Sequence, residues 1–254
     1  MHSCPRQPGD SLQQPTVQLI LTNDDGIGEP GLDALEELAR AHGETLVVAP
    51  AVQQSGVGHA VTTSRPIQLH EHGSTRYAIE GTPADCARVA LRSLSEPTAS
   101  GRWLLAGINQ GANLGVDTYV SGTVAAAREA AILGCPAIAI SQYVARHRSP
   151  DWRRCVERAR PILEVLLARE PAPGSFWNVN LPHPADESAD CAVVFCEVDP
   201  SPTAVRYRRS GDYLEWHADY HQRPRRPGHD IDVCFGGRIA VTRIAVAPAT
   251  GGSL

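Results

Sequence analysis

The sequence predicts an α/β fold, a doubly wound and mostly parallel sheet of the Rossmann-like type, followed by a C-terminal β-rich hairpin appendage. Three observations support this prediction. Short apolar runs alternate with amphipathic helical patterns over residues 17–182. Proline and glycine stand where these runs begin and end, as turns and helix termini require. From residue 183 onward, β-like runs follow with no helical partner.

The first repeat is a βαβ unit. The apolar run VQLILTN at 17–23 is typical of a strand, and GLDALEELARAHG at 31–43 carries its leucines on one helical face. Pro30 suits the first turn of that helix. The run TLVVAP at 45–50 supplies the next strand, and the helical connection makes the two strands parallel.

The remaining elements of the core continue the alternation. They are a hairpin at 66–81, a helix at 83–94, a strand at 103–108, a helix at 121–134, a strand at 136–141, a helix at 152–170 and a strand at 176–182. Proline lacks the backbone N–H that a helix interior uses, so Pro161 is expected to kink or break its helix. Such a series of alternating units is typical of a doubly wound sheet.

Three segments are therefore predicted. Residues 1–16 are polar and contain proline, as in a disordered tail; residues 17–182 form the catalytic α/β core; and residues 183–254 form the β-rich appendage. The alternating segment RIAVTRIAV would present edge strands that a second subunit could cover. We expect the appendage to mediate a homodimer or homotetramer, with a folded-back monomer as the alternative.

Composition excludes several classes of partner. The 28 acidic residues outnumber the 23 basic ones, so the net charge of −5 gives no attraction to a nucleic-acid polymer. There is no apolar run of membrane-spanning length and no signal-peptide pattern, so no membrane partner is expected. The seven cysteines form no CxxC pair, which is typical of a reducing compartment. A cytoplasmic protein with a small-molecule ligand is expected.

Oxygen-bearing side chains follow three of the predicted strands. Asp24 and Asp25 come directly after the first strand, Ser55 follows the second, and Asn109 follows the strand at 103–108. Because ligands of open parallel sheets bind beyond the carboxyl ends of the strands, these side chains are expected to lie together. Carboxylate, amide and hydroxyl oxygens suit one hard divalent cation, Mg²⁺ or Mn²⁺.

The first of these loops also admits other interpretations. Gly26, Gly28 and Gly31 form a GxGxxG pattern, which is typical of dinucleotide binding. Two carboxylates would repel a pyrophosphate, however, and the end of the second strand lacks the acidic residue that binds a ribose. A purely structural alternative has one aspartate capping the following helix and the other pairing with a surface cation.

The start of the helix at 121–134 is the candidate phosphate site. Ser121, Gly122 and Thr123 would expose backbone N–H groups at its N-terminus, although Ser121 is equally an ordinary N-cap. His59, in the glycine-containing loop after the second strand, could protonate a leaving oxygen or be a surface histidine. A cation at the aspartates and N–H groups at the helix together favour a phosphate ester as the ligand.

Five segments of the sequence, in order, resemble the signature segments of the SurE survival-protein family. They are LILTNDDGIGEPGL, VVAPAVQQSGVGHAVT, GTPADC, GINQGANLG and SGTVAAAREA, with weaker similarity in NVNLP and HDIDVCFGGRIAVT. The resemblance implies a metal-dependent phosphatase of nucleoside 5′- and 3′-monophosphates, with polyphosphate cleavage in some members, and a β-hairpin tail that subunits often exchange. It also implies metal ligands at Asp24, Asp25, Ser55 and Asn109, and phosphate contacts at Asn113, Ser121, Gly122 and Thr123.

The sequence departs from the family pattern at two places. Val120 stands directly before the SGT triplet, where the family usually has tyrosine, and Tyr119 lies one position earlier. The tail carries HDID, with Asp230 and Asp232, where family members tend to have threonine between two aspartates.

The expected reaction is hydrolysis of a phosphate monoester. Asp24 and Asp25 hold the cation, and water attacks phosphorus in line with one of the two aspartates as general base. Direct attack by an aspartate, giving an aspartyl-phosphate, is the competing route. A rival function is a metal-dependent nucleotide sensor, which would use the same residues without turnover.

Overall fold

A computed structural model describes residues 17–95, 101–186, 189–203, 205–217 and 219–246. The predicted tail at 1–16 lies outside the described residues. The strands are β1 (Gln18–Thr22), β2 (Glu44–Pro50), β3 (Leu69–Glu71), β4 (Arg76–Ile79), β5 (Arg102–Gln110), β6 (Ala137–Gln142), β7 (Ser175–Leu181), β8 (Val193–Phe195), β9 (Tyr207–Ser210), β10 (Tyr213–Trp216) and β11 (Ile239–Ala245). The helices are α1 (Pro30–Arg40), α2 (Pro83–Val89), α3 (Gly122–Ile132), α4 (Trp152–Leu167) and α5 (Asp230–Phe235).

Nine strands of the described residues form one sheet, in the order β3-β4-β2-β1-β5-β6-β7-β11-β8. From β4 across to β7 the neighbouring strands are parallel, whereas β3 and β11 pair antiparallel with β4 and β7. The chain winds outward from β1 through β2 and β4, and in the other direction from β5 through β6 and β7. The predicted doubly wound, mostly parallel sheet is confirmed, and its strand order reverses between β1 and β5.

Helices cover both faces of this sheet. α1 and α4 pack on one face, over a core that includes Leu35, Leu105 and Leu163. α2 and α3 pack on the other face, over a core that includes Leu104 and Ala126. Because both faces are covered, the central strands are buried at nearly every position. None of the helices in the described ranges is long and apolar enough to cross a membrane.

Helix α4 continues through Pro161, so the proline does not break the helix. Pro161 is exposed, so the carbonyl that loses its helical partner there can be hydrated. On the opposite side of the helix, Ile162, Leu163 and Leu166 are buried in the core. Their burial holds the helix together across the proline.

Strand β5 is longer than predicted. After a register shift that follows Ala106, Asn109 pairs with Ser141 and Gln110 pairs with Gln142 of β6. Asn109, which the sequence placed in a loop, is therefore a strand residue. The error arose because the apolar pattern stops at Ile108, whereas backbone pairing does not depend on apolar side chains.

Residues beyond 183 are more integrated with the core than their sequence indicates. β11 lies inside the sheet between β7 and β8, so the expectation that RIAVTRIAV presents edge strands is wrong. The helix α5 is also present, contrary to the expected absence of helical partners. The β9–β10 hairpin forms a separate two-stranded sheet, as a hairpin appendage would. An alternating pattern identifies a strand but does not say which neighbours it pairs with.

Candidate metal and phosphate site

Three loops leave the carboxyl ends of adjacent strands near the point where the strand order reverses. They are loop 1 (23–29) after β1, loop 2 (51–68) after β2 and loop 3 (111–121) after β5. Asn23 closes loop 1, because its Nδ2 donates to the Gly26 carbonyl at 2.8 Å and its Oδ1 accepts from the Gly26 N–H at 3.2 Å. Gly26 has a φ of +124°, which disfavours any side chain. This closed turn presents Asp24 and Asp25 together.

Asp24 is buried, with 6% of its surface exposed. Its Oδ1 accepts a hydrogen bond from the Thr123 hydroxyl, and its carbonyl accepts from the Gln54 N–H at 2.7 Å. Burial raises the pKa of the Asp24 carboxyl to about 6; the hydrogen bond from Thr123 opposes this rise and the charge of Asp25 adds to it. The carboxylate is therefore held in place in a position that disfavours its charge.

Asp25 is half-buried and links loop 2 to the end of β5. Its Oδ2 accepts from the Gln110 N–H at 3.4 Å, and the Gln53 side chain also hydrogen-bonds to it. Gln53 donates in addition to the Ser55 hydroxyl at 2.9 Å. Burial is the main reason that the pKa of Asp25 is raised, and the charge of Glu29 adds to that rise. Sequence reasoning missed Gln53, whose neighbour Ser55 it had selected.

Asn109 turns its amide nitrogen toward loop 3. Nδ2 donates to the Gly111 carbonyl at 2.6 Å, so Oδ1 points away from that contact and keeps its acceptor capacity. Asn109 is also the neighbour of Gln110, whose N–H reaches Asp25. Two glutamines thus connect predicted metal ligands. Gln53 joins Asp25 to Ser55, and Gln110 joins Asp25 to its chain neighbour Asn109.

The donor set fits a hard divalent cation. Within the described residues, neither Asp24 nor Asp25 forms an ion pair with Lys, Arg or His. The described part of the chain also contains no group of three or more His, Cys, Asp or Glu side chains that could hold a metal ion. A cation at the two carboxylates would therefore complete its shell with amide and hydroxyl oxygens and with water.

The N-terminus of α3 lies directly against Asp24. Ser121 is the N-cap, and its Oγ accepts from the Val124 N–H at 3.1 Å. A Cβ at Gly122 would stand 2.7 Å from the Cβ of Asp24 and 3.0 Å from its Oδ2, so only glycine allows this approach. Ser121 is thus the ordinary cap that the sequence suggested, and Gly122 and Thr123 place the positive end of the helix beside a carboxylate.

Asn113 is buried, and its polar groups are largely used within the protein. Its backbone N–H donates to Oδ1 of Asn180 at 2.8 Å, and its Nδ2 donates to the Ser141 hydroxyl at 2.8 Å. Its carbonyl accepts from the side chains of Asn178 and Asn180. The role of Asn113 in contacting phosphate stays a prediction. The two asparagines that hold it were missed, although their alternation within NVNLP was the available signal.

Loop 2 is fastened over the helices of the site. The Gly58 N–H donates to the Val120 carbonyl at 3.1 Å, and the Thr62 N–H donates to Oδ1 of Asp85 at 2.8 Å. Burial alone would raise the pKa of Asp85, but hydrogen bonds from the N–H groups of Thr62 and Thr82 outweigh it and lower that pKa. Asp85 therefore joins loop 2 to the start of α2.

Loop 3 is fastened at its far end by a buried ion pair between Asp117 and Arg223. Asp117 is one of the oxygen-bearing residues of this loop, and its carboxylate pairs with Arg223 of the protein itself. Arg223 belongs to the RPRRP segment, which composition alone would assign to a solvated loop. Its partner lies 106 positions away, and a local pattern cannot show such a contact.

Comparison with known proteins identifies the family. The family model described as Survival protein SurE matches residues 19–199, a range that includes every predicted site residue. The chain belongs to the SurE family. A curated relative from Nostoc sp. is 46% identical over 230 residues, covering 91% of this chain and 100% of that relative. The Paramagnetospirillum magneticum protein named 5′-nucleotidase SurE is 34% identical over 236 residues, or 89% of each chain.

The SurE fold is also seen in a solved structure. The crystal structure of the SurE protein from Aquifex aeolicus superposes with a TM-score of 0.75 at 28% identity, covering 92% of this chain and 95% of that one. Beside the candidate site, this SurE chain exposes two apolar side chains, Tyr119 at 74% and Val120 at 59%. The departure from the family pattern at these two positions therefore lies on the surface.

Proposed function

We propose that this chain is a metal-dependent phosphatase that hydrolyses nucleoside 5′-monophosphates to nucleoside and phosphate. The observation that carries the proposal is the contact between the buried Asp24 carboxylate and the N-terminus of α3 at Gly122. Carboxylates suited to a cation and N–H groups suited to an anion meet there, and a phosphate monoester requires both. The name 5′-nucleotidase SurE of the relatives supports the nucleoside monophosphate as substrate. Activity on 3′-monophosphates and short polyphosphate is proposed from the family resemblance alone.

The chain's own residues divide the chemistry between them. Mg²⁺ or Mn²⁺ held by Asp24, Asp25, Ser55 and Asn109 would neutralise charge on the phosphoryl oxygens. The N–H groups of Gly122 and Thr123 would face the phosphate, and Asn113 would bind it from loop 3. We assign the general base to Asp25, because it is only half-buried and can meet a water molecule, whereas Asp24 is buried and its Oδ1 accepts from Thr123.

Phosphate release from AMP tests this proposal. We expect release with Mg²⁺ or Mn²⁺, loss of release in EDTA, and recovery when the metal is added back in excess. The ion is expected to be essential because the two carboxylates would otherwise repel the phosphate dianion. Release that continues in EDTA would reject the metal requirement. AMP binding without release at any metal concentration would favour the nucleotide sensor.

We further propose a homo-oligomer, a dimer or tetramer, that covers the β9–β10 hairpin. The hairpin exposes Tyr207, Tyr213, Leu214 and Trp216, each to 60% or more. A cluster of this kind is unusual on the surface of a monomer.

We also propose a cytoplasmic location. Cys86, Cys135 and Cys234 are buried thiols without a disulfide, which supports this proposal.

Substitution within the hairpin tests the assembly. We expect Leu214→Glu to lower the sedimentation coefficient toward that of a monomer, because a buried charge opposes association. Asp212→Ala, in the turn of the same hairpin, is the matched control and should leave the assembly unchanged. Deleting everything beyond residue 183 is unsuitable, since it also removes β11 from the central sheet. Identical sedimentation of the Leu214 variant and the unmodified protein would contradict the proposal.

A further inference from the structure

The helix α3 carries a buried carboxylate that has no part in the metal or phosphate site. The side chain of Glu129 is 2% exposed. It accepts a hydrogen bond from Nε of Arg88 on α2 at 2.6 Å, and it is 2.7 Å from Nε2 of His59 on loop 2. Burying a carboxylate is unfavourable unless charged or hydrogen-bonding partners meet it, and here Arg88 and His59 do so from different elements.

This contact fixes the orientation of the His59 ring. An ionised carboxylate only accepts hydrogen bonds, so Nε2 of His59 carries the hydrogen that faces Glu129. Nδ1 is then directed to the other side of the ring, and it makes no hydrogen bond within the described residues. A histidine held by a carboxylate through one nitrogen, with its second nitrogen available, is a recurrent arrangement in general acid–base catalysis.

The loop that carries His59 passes the N-terminal end of α3, which is the candidate phosphate end. Glu129 is about two turns into the helix, and Cα–Cβ bonds tilt toward the N-terminus, so its carboxylate is carried toward Ser121. Gly58, the neighbour of His59, donates its N–H to the carbonyl of Val120, the residue before Ser121. The His59 side chain is 23% exposed, so part of the ring faces solvent.

We propose that His59 is the general acid that protonates the leaving oxygen of the nucleoside. This inference rests on the proposed phosphatase function. As the bond between phosphorus and the ester oxygen breaks, its electron pair stays on that oxygen, which takes the proton from Nδ1. Water adds its oxygen to phosphorus and loses a proton to Asp25, which releases it to solvent, and the neutral imidazole regains a proton from solvent. Glu129 positions the ring, and Arg88 holds Glu129.

The dependence on the leaving group tests this role. His59→Gln retains a side-chain N–H that can reach Glu129 but has no proton to transfer near neutral pH. We expect kcat for AMP to fall about 10²-fold, because an alkoxide leaves poorly without a proton. With p-nitrophenyl phosphate, whose leaving group is stable as an anion, kcat should change less than about threefold. His70→Gln, on the exposed strand β3, is the matched control and should leave both rates unchanged.

Two outcomes would overturn the assignment. An equal loss on both substrates would mean that His59 only holds loop 2, and an unchanged rate on AMP would mean that it has no role. If His59→Gln does not fold, Glu129→Gln replaces it, with a smaller loss expected on AMP and none on p-nitrophenyl phosphate. Wild-type protein that releases phosphate from neither substrate would instead reject the phosphatase itself, and this result is distinct from the other two.

Discussion

Asp24→Asn is expected to abolish phosphate release while making the metal-free protein more stable above neutral pH. Activity should fall by at least about 10²-fold, the order lost when one preorganised electrostatic contact is removed from a hydrolase. The amide still accepts the hydrogen bond from Thr123, so the local structure should persist. Phosphate release at saturating Mg²⁺ or Mn²⁺ measures the first effect, and urea unfolding in EDTA measures the second.

The sign of the stability change follows from the raised pKa of Asp24. The fold shifts this pKa from 3.8 to about 6, so the folded state binds the proton more tightly than the unfolded chain does. The stability gained from the protonated form is fully present below pH 3.8 and is lost as the pH rises through about 6. Asparagine is neutral throughout, so the variant should gain at most about 3 kcal/mol of unfolding free energy at pH 8 and progressively less toward pH 4.

A matched control separates this effect from a general change in charge. Asp212→Asn removes the same charge from an exposed turn and should change neither stability nor activity measurably. A stability difference for Asp24→Asn that stays constant between pH 5 and pH 8 would contradict the explanation by burial. Normal turnover of Asp24→Asn at submicromolar metal would remove Asp24 from the site.

The second large effect is expected at Asp230, on α5. Asp230 is fully buried and accepts hydrogen bonds at 2.8 Å from the backbone N–H groups of Gly115, Asp199 and Ile231. Alanine would leave these donors without their acceptor at roughly 1–3 kcal/mol for each buried group. We expect Asp230→Ala to lower the unfolding free energy by about 3–5 kcal/mol, which urea denaturation would measure.

Asp232→Ala is the control for this prediction. Asp232 lies two residues along the same helix but is partly exposed, with one hydrogen bond from the Gly228 N–H at 2.9 Å. Asp232→Ala should lower the unfolding free energy by less than about 1 kcal/mol. Asp230→Ala should also reduce activity, because Gly115 belongs to the loop that leads to the phosphate end of α3. Equal effects of the two alanine variants would show that the buried acceptor has no special part in stability.

The sequence by itself determined the fold class and proposed the residues of the candidate site. The position where an apolar run stops marks a strand end, and in a doubly wound sheet the strand ends face one crevice. Asp24 was selected as a residue at a strand end and Ser121 as the start of a helix, and the structure places Asp24 in contact with the start of α3. Both inferences need only periodicity and a rule about parallel sheets, and they required no knowledge of distant contacts.

Only the tertiary structure decided which distant residues meet. The burial that raises the pKa of Asp24, the place of β11 inside the sheet and the position of Asn109 within β5 all follow from packing between separate elements. His59 and Glu129 lie 70 positions apart, and nothing local to either residue indicates the other. A periodic pattern shows that one face of an element is buried, but the partner on that face is chosen by the packing of the whole chain.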